Sequence, residues 1–265
     1  MNEQDRLDIV SHYEGYDEDS RFDPRWCRIE YLTTLHYIRR YLQPGDKVLE
    51  IGAGTGRYSL ALAKEGYDVT SVELVPHNLD ILRSKITEDM SIHTMEGNAL
   101  DLSVLPDETF DMTLLLGPMY HLFSDEDKRR ALSEALRVTK RGGIVMVAYC
   151  IIDGSLINYV FRQGLYHEMV EKGSLDPETL QIHGEKGGFL FEHIRKPDID
   201  RLMNGFSVQR LHYVATDGIA SFLERDLDAM DEEMWQAVMR YQLIVCERED
   251  MVGATDHSLD IMRKI

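Results

Sequence analysis

Cysteine is scarce in this chain of 265 residues: Cys27, Cys150 and Cys246 stand far apart and form no C-x-x-C pair. That excludes a disulfide framework and leads us to expect a reduced, cytoplasmic protein. Long apolar runs are missing as well. The longest, Ile144 to Ile152, falls well short of the roughly 20 residues a membrane-spanning helix needs. The start, Met1-Asn2-Glu3-Gln4-Asp5, has no basic stretch followed by an apolar one, so no secretory signal is read there. Basic residues are outnumbered, 29 Lys and Arg against 47 Asp and Glu, for a formal net charge of −18. A nucleic-acid partner is therefore not expected, because phosphate contacts usually require a basic face. Internal repeats and low-complexity tracts are absent too.

What remains is a chain with 43% hydrophobic and 29% charged residues, enough to build a proper core. Val48 to Ile51 reads as a buried strand running into glycines, and Tyr58 to Lys64 as a helix stopped by Gly66. Val69 to Val72 is a second β-branched strand ending at Glu73, and Pro76 opens the next helix. Further strands are expected at Ser91–Met95, Phe110–Leu116 and Ile144–Ala148. Between the last two, Ser124 would cap a helix with acids in its first turn. Arg137, Lys140 and Arg141 would crowd the end of that helix before Gly142 and Gly143.

This alternation implies βαβ units and a parallel sheet. After Asp153 the rhythm breaks, and strands resume only at Ser207–Ala215 and His257–Met262, with a helix over residues 230–247 between them. The expected fold is α/β: a Rossmann-like, doubly wound, mostly parallel seven-stranded sheet with helices on both faces. An N-terminal helical cap (1–45) would precede the ligand-binding core (46–152). An insertion between strands five and six (153–204) would follow, and residues 205–265 would complete the sheet.

Glu50-Ile51-Gly52-Ala53-Gly54-Thr55-Gly56 is the most informative segment. A strand entering a glycine turn and then a helix presents backbone to a ligand. A dinucleotide fingerprint, G-x-G-x-x-G, would need a third glycine where this chain has Arg57. Glu73 closes the second strand about 20 residues on, where an acid can accept from ribose hydroxyls.

The pattern of an acid followed by G-x-G-x-G resembles motif I of class I S-adenosylmethionine-dependent methyltransferases. The resemblance implies S-adenosylmethionine as cofactor. It implies that Glu50 helps to hold the ammonium of the methionine moiety and that Gly52, Ala53 and Gly54, with Thr55 and Gly56, line its arm. Glu73 would take the ribose, and Leu74 would lie against the adenine. At Glu96-Gly97-Asn98-Ala99 the family commonly has G-D-A; Asn98 departs from it, yet its carbonyl can accept from the adenine amino group and its amide can donate.

Methyl transfer is an in-line displacement in which the protein mainly aligns and dries the reactants. The acceptor should lie beyond the fourth strand, at Leu116-Gly117-Pro118-Met119-Tyr120-His121. Amino methyltransferases that act on adenine resemble one another in an N-P-P-Y motif here. Gly117 and Met119 remove its Asn and one Pro, which argues against base methylation. Tyr120 and His121 are the catalytic candidates, His121 as base or substrate ligand, against a His merely packed beside the loop. Tyr13 and Tyr16 are candidates for a lid over the cofactor, against simple packing. His167-Glu168-Met169-Val170-Glu171 begins like a zinc motif but lacks its second His, so no metal is expected. The reading is a small-molecule methyltransferase with no nucleic-acid or membrane partner. Its rivals are a non-catalytic S-adenosylmethionine-binding protein and, disfavoured by Arg57, an NAD-dependent oxidoreductase.

Overall fold

A computed structural model describes residues 1–184, 190–253 and 255–265. Residues 185–189 of the expected insertion and residue 254 of the expected C-terminal part lie outside the described residues. Two helices precede the sheet, α1 (Glu3–Glu14) and α2 (Arg25–Tyr41). Asn2 caps α1 in a reciprocal box with Asp5. The core then runs β1 (Lys47–Ile51), α3 (Arg57–Lys64), β2 (Asp68–Glu73), α4 (Pro76–Ser84), β3 (Ile92–Glu96) and β4 (Phe110–Leu115). It continues with α5 (Asp125–Val138) and β5 (Thr139–Ile151).

The insertion begins as α6 (Ile152–Ser155), passes through a π-helical turn at Leu156–Phe161, and holds α7 (Tyr166–Glu171), β6 (His193–Ile194) and α8 (Lys196–Met203). Its first part has a core of its own, built from Ile152, Leu156, Val160, Met169, Leu175 and Ile182. The chain ends with β7 (Val208–Ala215), α9 (Ala220–Leu227), α10 (Glu232–Val245) and β8 (His257–Lys264).

The main sheet has the order β3-β2-β1-β4-β5-β8-β7, with β6 paired to β5 off this path. Strands β1 to β5 are parallel, and β8 runs antiparallel between β5 and β7. The Rossmann-like architecture is therefore as expected, with eight strands where seven were expected. The additional strand is only two residues long, too short to leave a period-2 pattern in the sequence. Fully buried Val48, Leu49, Val145 and Val147 fill the sheet, with apolar clusters on both faces. That is why its strands read as continuous apolar runs.

One expectation fails at the end of α5. Ser124 caps the helix as foreseen, accepting from Asp127 N, but the helix stops at Val138, and Lys140 and Arg141 lie in β5. Thr139 is already extended, and its hydroxyl sits 2.7 Å from that of Thr113 on the neighbouring strand. The pairing of β4 and β5 shifts register between Phe110 and Met112, a bulge that the left-handed Gly142 (φ +80°) accommodates. The acidic run from Asp226 to Glu233 is a solvated surface in which Asp231 caps α10. No helix among the described residues is long and apolar enough to cross a membrane.

Candidate active site

The glycine turn sits where β1 meets α3, at the carboxyl ends of the parallel strands, where such sheets bind ligands. Gly52 (φ +76°), Gly54 (φ +55°) and Gly56 (φ +85°) are all left-handed, a conformation that favours glycine. Their surroundings give them different tasks. A Cβ on Gly52 would come within 2.6 Å of Pro118 Cδ, and one on Gly54 would lie 3.4 Å from Glu18 Cγ. Gly56 departs from expectation: it does not line the cavity, and a Cβ there would fall 2.2 Å from Leu82 Cδ1. It is glycine so that α4 can pack against the turn.

The backbone N–H groups are largely spent within the protein. Gly52 N and Ala53 N both donate to Val72 O, at 2.8 and 3.1 Å, and Gly54 N donates to Glu73 Oε2 at 2.7 Å. A phosphate would need those donors. A ligand whose arm lies against bare backbone does not, which separates this turn from a dinucleotide loop.

Glu73 is buried at the end of β2, and its other oxygen accepts from Val75 N at 2.9 Å. Burial pushes its pKa up although those backbone donors oppose the shift. A carboxylate has about four acceptor positions, so both oxygens keep capacity for two ribose hydroxyls. Asn98 is placed on the cavity wall beside Ala99, but its carbonyl oxygen already accepts from Leu100 N at 2.9 Å. The Asn98 amide NH2 is free of that bond. The carbonyl keeps a second lone pair, so both contacts expected of Asn98, acceptance and donation, remain available.

Glu50 also lines the cavity, and its Oε2 is held by both the backbone N–H and the hydroxyl of Ser59 at the start of α3. Ser71 of β2 completes the link with Ser59 at 2.7 Å. Burial pushes Glu50 to about 8, with the Ser59 hydrogen bonds pulling the other way. Glu50 thus ties β1, β2 and α3 together besides facing the ligand space.

One cavity of about 770 Å³ contains Glu50, Gly52, Ala53, Gly54, Thr55, Glu73, Leu74, Asn98, Ala99, Leu116, Tyr120, His121, Tyr13 and Tyr16 in its wall. Of the cofactor and catalytic candidates, only Gly56 lies outside it.

The roof is the N-terminal segment. Asp19 binds the Thr55 hydroxyl at 3.1 Å and the Lys85 ammonium, latching a short 3₁₀ turn (Glu18–Ser20) over the glycines. Glu18 hangs beneath it, and burial lifts its carboxyl to about 7 although Arg21 pulls it down. Tyr13 and Tyr16 join an aromatic cluster with His12, His121 and Phe191.

His121 is committed on both edges: Nδ1 pairs with Leu190 O and Nε2 with the Tyr13 hydroxyl, each at 3.1 Å. A carbonyl can only accept, so Nδ1 carries the proton and Tyr13 donates to Nε2. Burial pulls this His down to about 4, a poor base whose lone pair is already occupied. These contacts weigh against His121 as a base and favour the packed alternative, in which it pins the roof to the insertion. Tyr120 differs. Its buried hydroxyl has no hydrogen-bond partner among the described residues.

Four residues that the sequence reading passed over meet at the far end of the cavity: Arg21, Glu30, Asp217 and His257. No motif marks them, since they come from the N-terminal segment, α2, the turn after β7 and the start of β8. Only the topology joins them.

The sequence profile described as "Methyltransferase domain" matches residues 48–143, the span that carries the glycine turn, Glu73 and Tyr120. Over residues 48–143 the chain is thus similar to methyltransferase domains, in agreement with its resemblance to the class I S-adenosylmethionine-dependent methyltransferases. It is 32% identical over 148 residues to a glycine/sarcosine N-methyltransferase of Parasynechococcus marenigrum (strain WH8102), covering 52% of each chain. An uncharacterised methyltransferase of Bacillus subtilis (strain 168) is 36% identical over 150 residues, covering 54% of this chain and 55% of that one. The chain thus spans about half the length of the curated relatives it matches. In fold it is similar to a methyltransferase of Thermotoga maritima described as a possible histamine N-methyltransferase. That structure has a TM-score of 0.58 and 20% identity, over 98% of this chain and 99% of that one.

The family's cofactor is S-adenosylmethionine, and the cradle suits it. Bare glycine backbone, the Glu73 carboxyl and the Asn98 amide all line the wall. Carboxylates rather than phosphate-binding donors surround the place where a cationic moiety would lie.

Proposed function

We propose that this methyltransferase transfers a methyl group from S-adenosylmethionine to a small-molecule acceptor enclosed in the same cavity. The observation that carries this reading is the continuity of the cavity. It runs from Gly54 and Glu73 past Leu116 and Tyr120 to Cys150 and His257, under the N-terminal segment and the insertion. Its volume of about 770 Å³ lies within the range of small-ligand sites, about 300–1,000 Å³, which leaves room for an acceptor beside the cofactor. The net charge of −18 adds to the case against a nucleic-acid acceptor.

Bound S-adenosylmethionine supplies an electrophilic methyl group. The chain's own residues hold and screen it. Glu73 accepts from the ribose, Asn98 donates to the adenine, and Leu74 packs on the ring. Glu50 and Glu18 offer carboxyl oxygens to the methionine ammonium, whose positive charge favours their ionised forms. The aromatic roof of Tyr13 and Tyr16 excludes water, which strengthens these electrostatic contacts. Tyr120 presents its unpaired hydroxyl to the acceptor side.

Calorimetry with S-adenosylmethionine, S-adenosylhomocysteine and NAD tests the cofactor, and radiolabelled methyl transfer to a small-metabolite extract tests the activity. Submicromolar to micromolar binding of the first two and labelled small products are expected. Tight NAD binding without the others would overturn the reading. Cofactor binding with no transfer to any fraction would favour a binding protein on the same fold.

A further inference from the structure

The register of the sheet sets Cys150 opposite both His193 and His257, so the three side chains form one row on one face of β6, β5 and β8. All three line the cavity. His193 is spent: its Nδ1 pairs with Phe191 O at 3.1 Å, and burial pulls it down to about 4. His257 is built differently. Its Nδ1 lies 2.7 Å from Asp217 Oδ2 and 3.6 Å from Glu30 Oε2.

Asp217 cannot turn away, because its Oδ1 accepts from the Thr255 hydroxyl and from the backbone N–H of Asp256 and His257, the latter two at 3.0 and 3.2 Å. Glu30 is held by Arg21 Nη2 at 2.8 and 3.1 Å. The Tyr120 ring stands 5.8 Å from the His257 ring, and its unpartnered hydroxyl is buried in the same wall, only 7% of the residue being exposed. A carboxylate fixed by several donors, a His oriented on it and an orphaned hydroxyl beside it are the parts of a proton-accepting site. Nothing in the cofactor cradle uses them.

We infer that His257, oriented by Asp217, is the base of the acceptor site, and that the acceptor is an amine which arrives as its ammonium ion. This rests on the methyltransferase reading above. An ammonium nitrogen has no lone pair, so it must lose a proton before it can attack a methyl group. With Nδ1–H donated to Asp217, the neutral ring carries its lone pair on Nε2; the Cys150 thiol also hydrogen-bonds this ring and gives way as the substrate nitrogen approaches. The proton passes from the nitrogen to Nε2. The N–C bond then forms as the S–C bond breaks, with that bond's electron pair left on sulfur. The resulting imidazolium sits between Asp217 and Glu30, which favour its charge. Asp217 is a positioning residue; His257 is the group that meets the substrate.

Charge selects the amine. Glu18, Glu30, Asp217 and Asp256 line the cavity, whereas of its two guanidinium groups Arg21 is engaged by Glu30 and Arg57 by Asp23. A cation is drawn in and a carboxylate or phenolate is repelled.

The groups facing His257 are Glu30 and Cys27 of α2, Cys150 of β5, His193 of β6, Asp217 after β7, and Asp256, Tyr120 and Tyr159. Burial alone would lower this His, but Glu30, Cys150 and Asp217 outweigh it and raise it well above the ordinary range. The base is therefore unprotonated only on the alkaline side, and kcat/KM should climb with pH above neutrality.

The test uses the intact protein with S-adenosylmethionine and glycine, histamine and ethanolamine as probe amines, set against lactate and 4-hydroxybenzoate. In parallel, the His257 Cε1–H resonance of the S-adenosylhomocysteine complex is titrated with each probe. At least one amine should be methylated and should move that resonance. His257→Gln should lower its kcat/KM by about 100-fold or more while the calorimetric affinity for S-adenosylmethionine, which also reports folding, stays within about threefold. Asp217→Asn should shift the rising limb of the pH profile to lower pH, an effect that loss of packing would not produce. The inference is overturned by methylation of the hydroxy acids alone, by wild-type turnover in His257→Gln, by an unmoved pH profile in Asp217→Asn, or by a resonance that no amine shifts. Failure of the wild-type protein to bind S-adenosylmethionine would instead overturn the parent reading.

Discussion

The backbone N–H of Gly54 and the carboxylate of Glu73 are joined at 2.7 Å, so the glycine turn and the acid proposed to hold the ribose form one unit. Removing the acid should therefore act twice. Glu73→Ala should weaken S-adenosylmethionine binding by roughly 10- to 100-fold, as expected for losing charge-assisted bonds worth about 1.5–3 kcal/mol. It should also lower Tm, because Gly54 and Val75 lose an acceptor. Calorimetry and a melting curve separate the two effects; wild-type affinity would remove Glu73 from the cofactor site.

Gly56 makes the opposite prediction. Its Cβ would strike Leu82 Cδ1 in a left-handed position, so Gly56→Ala should destabilise the protein by about 1–3 kcal/mol through overpacking. Gly56→Ala with Leu82→Ala relieves the clash but opens the helix contact, so the double variant should be less destabilised than the sum of the singles. Denaturant unfolding of the four proteins measures this. Additive losses would show that Leu82 is not the obstacle.

Glu18 should make cofactor binding depend on pH. With its carboxyl near 7, it is mostly neutral below that value and anionic above it. Affinity for the cationic cofactor should rise between about pH 6 and about pH 8, by up to the order of tenfold. Glu18→Gln should flatten that rise and bind like the wild-type protein at low pH. An unchanged slope in the variant would place Glu18 away from the ligand.

Glu50 should affect stability in the reverse sense. Its folded pKa of about 8 lies above its unfolded value of 4.5, so between those limits the folded state binds more protons than the unfolded one. Its contribution is complete below about pH 4.5 and declines as pH rises toward about 8. Glu50→Gln should remove this decline, and unfolding of both proteins across that window measures the difference. Parallel curves would mean that Glu50 ionises as freely in the folded protein as in the unfolded one.

His121→Ala should act through the roof. Losing the bonds to Tyr13 and Leu190 should speed proteolysis within residues 1–23 of the free protein and weaken cofactor binding several-fold. If His121 were the base, turnover would collapse while the roof stayed as protected as before.

The sheet and its ligand loop were legible because each rests on local chemistry. Apolar runs in β1, β2 and β4 report burial on both faces, and Arg57 after Gly56 rules out a dinucleotide turn within a few residues. Other features depended on partners distant in the chain. Nothing near Gly56 announces Leu82, and nothing near His121 announces Leu190 and Tyr13. The Asn98 carbonyl looked free until its bond to Leu100 N was seen. The cluster of Glu30, Asp217 and His257 was illegible for the same reason. Its members are separated by most of the chain, and one of them opens a strand that seemed to serve only the sheet.

The Asp19 latch across Thr55 and Lys85 has a kinetic meaning. A cavity roofed by its own N-terminal segment is expected to exchange ligands as that segment lifts, and opening of the roof rather than the displacement is the expected slow step of a turnover. Rapid-quench measurement should show a burst of methylated product followed by a slower steady rate. Asp19→Ala should quicken the slow phase and leave the burst rate as it was. A wild-type trace without a burst would return rate control to the chemical step.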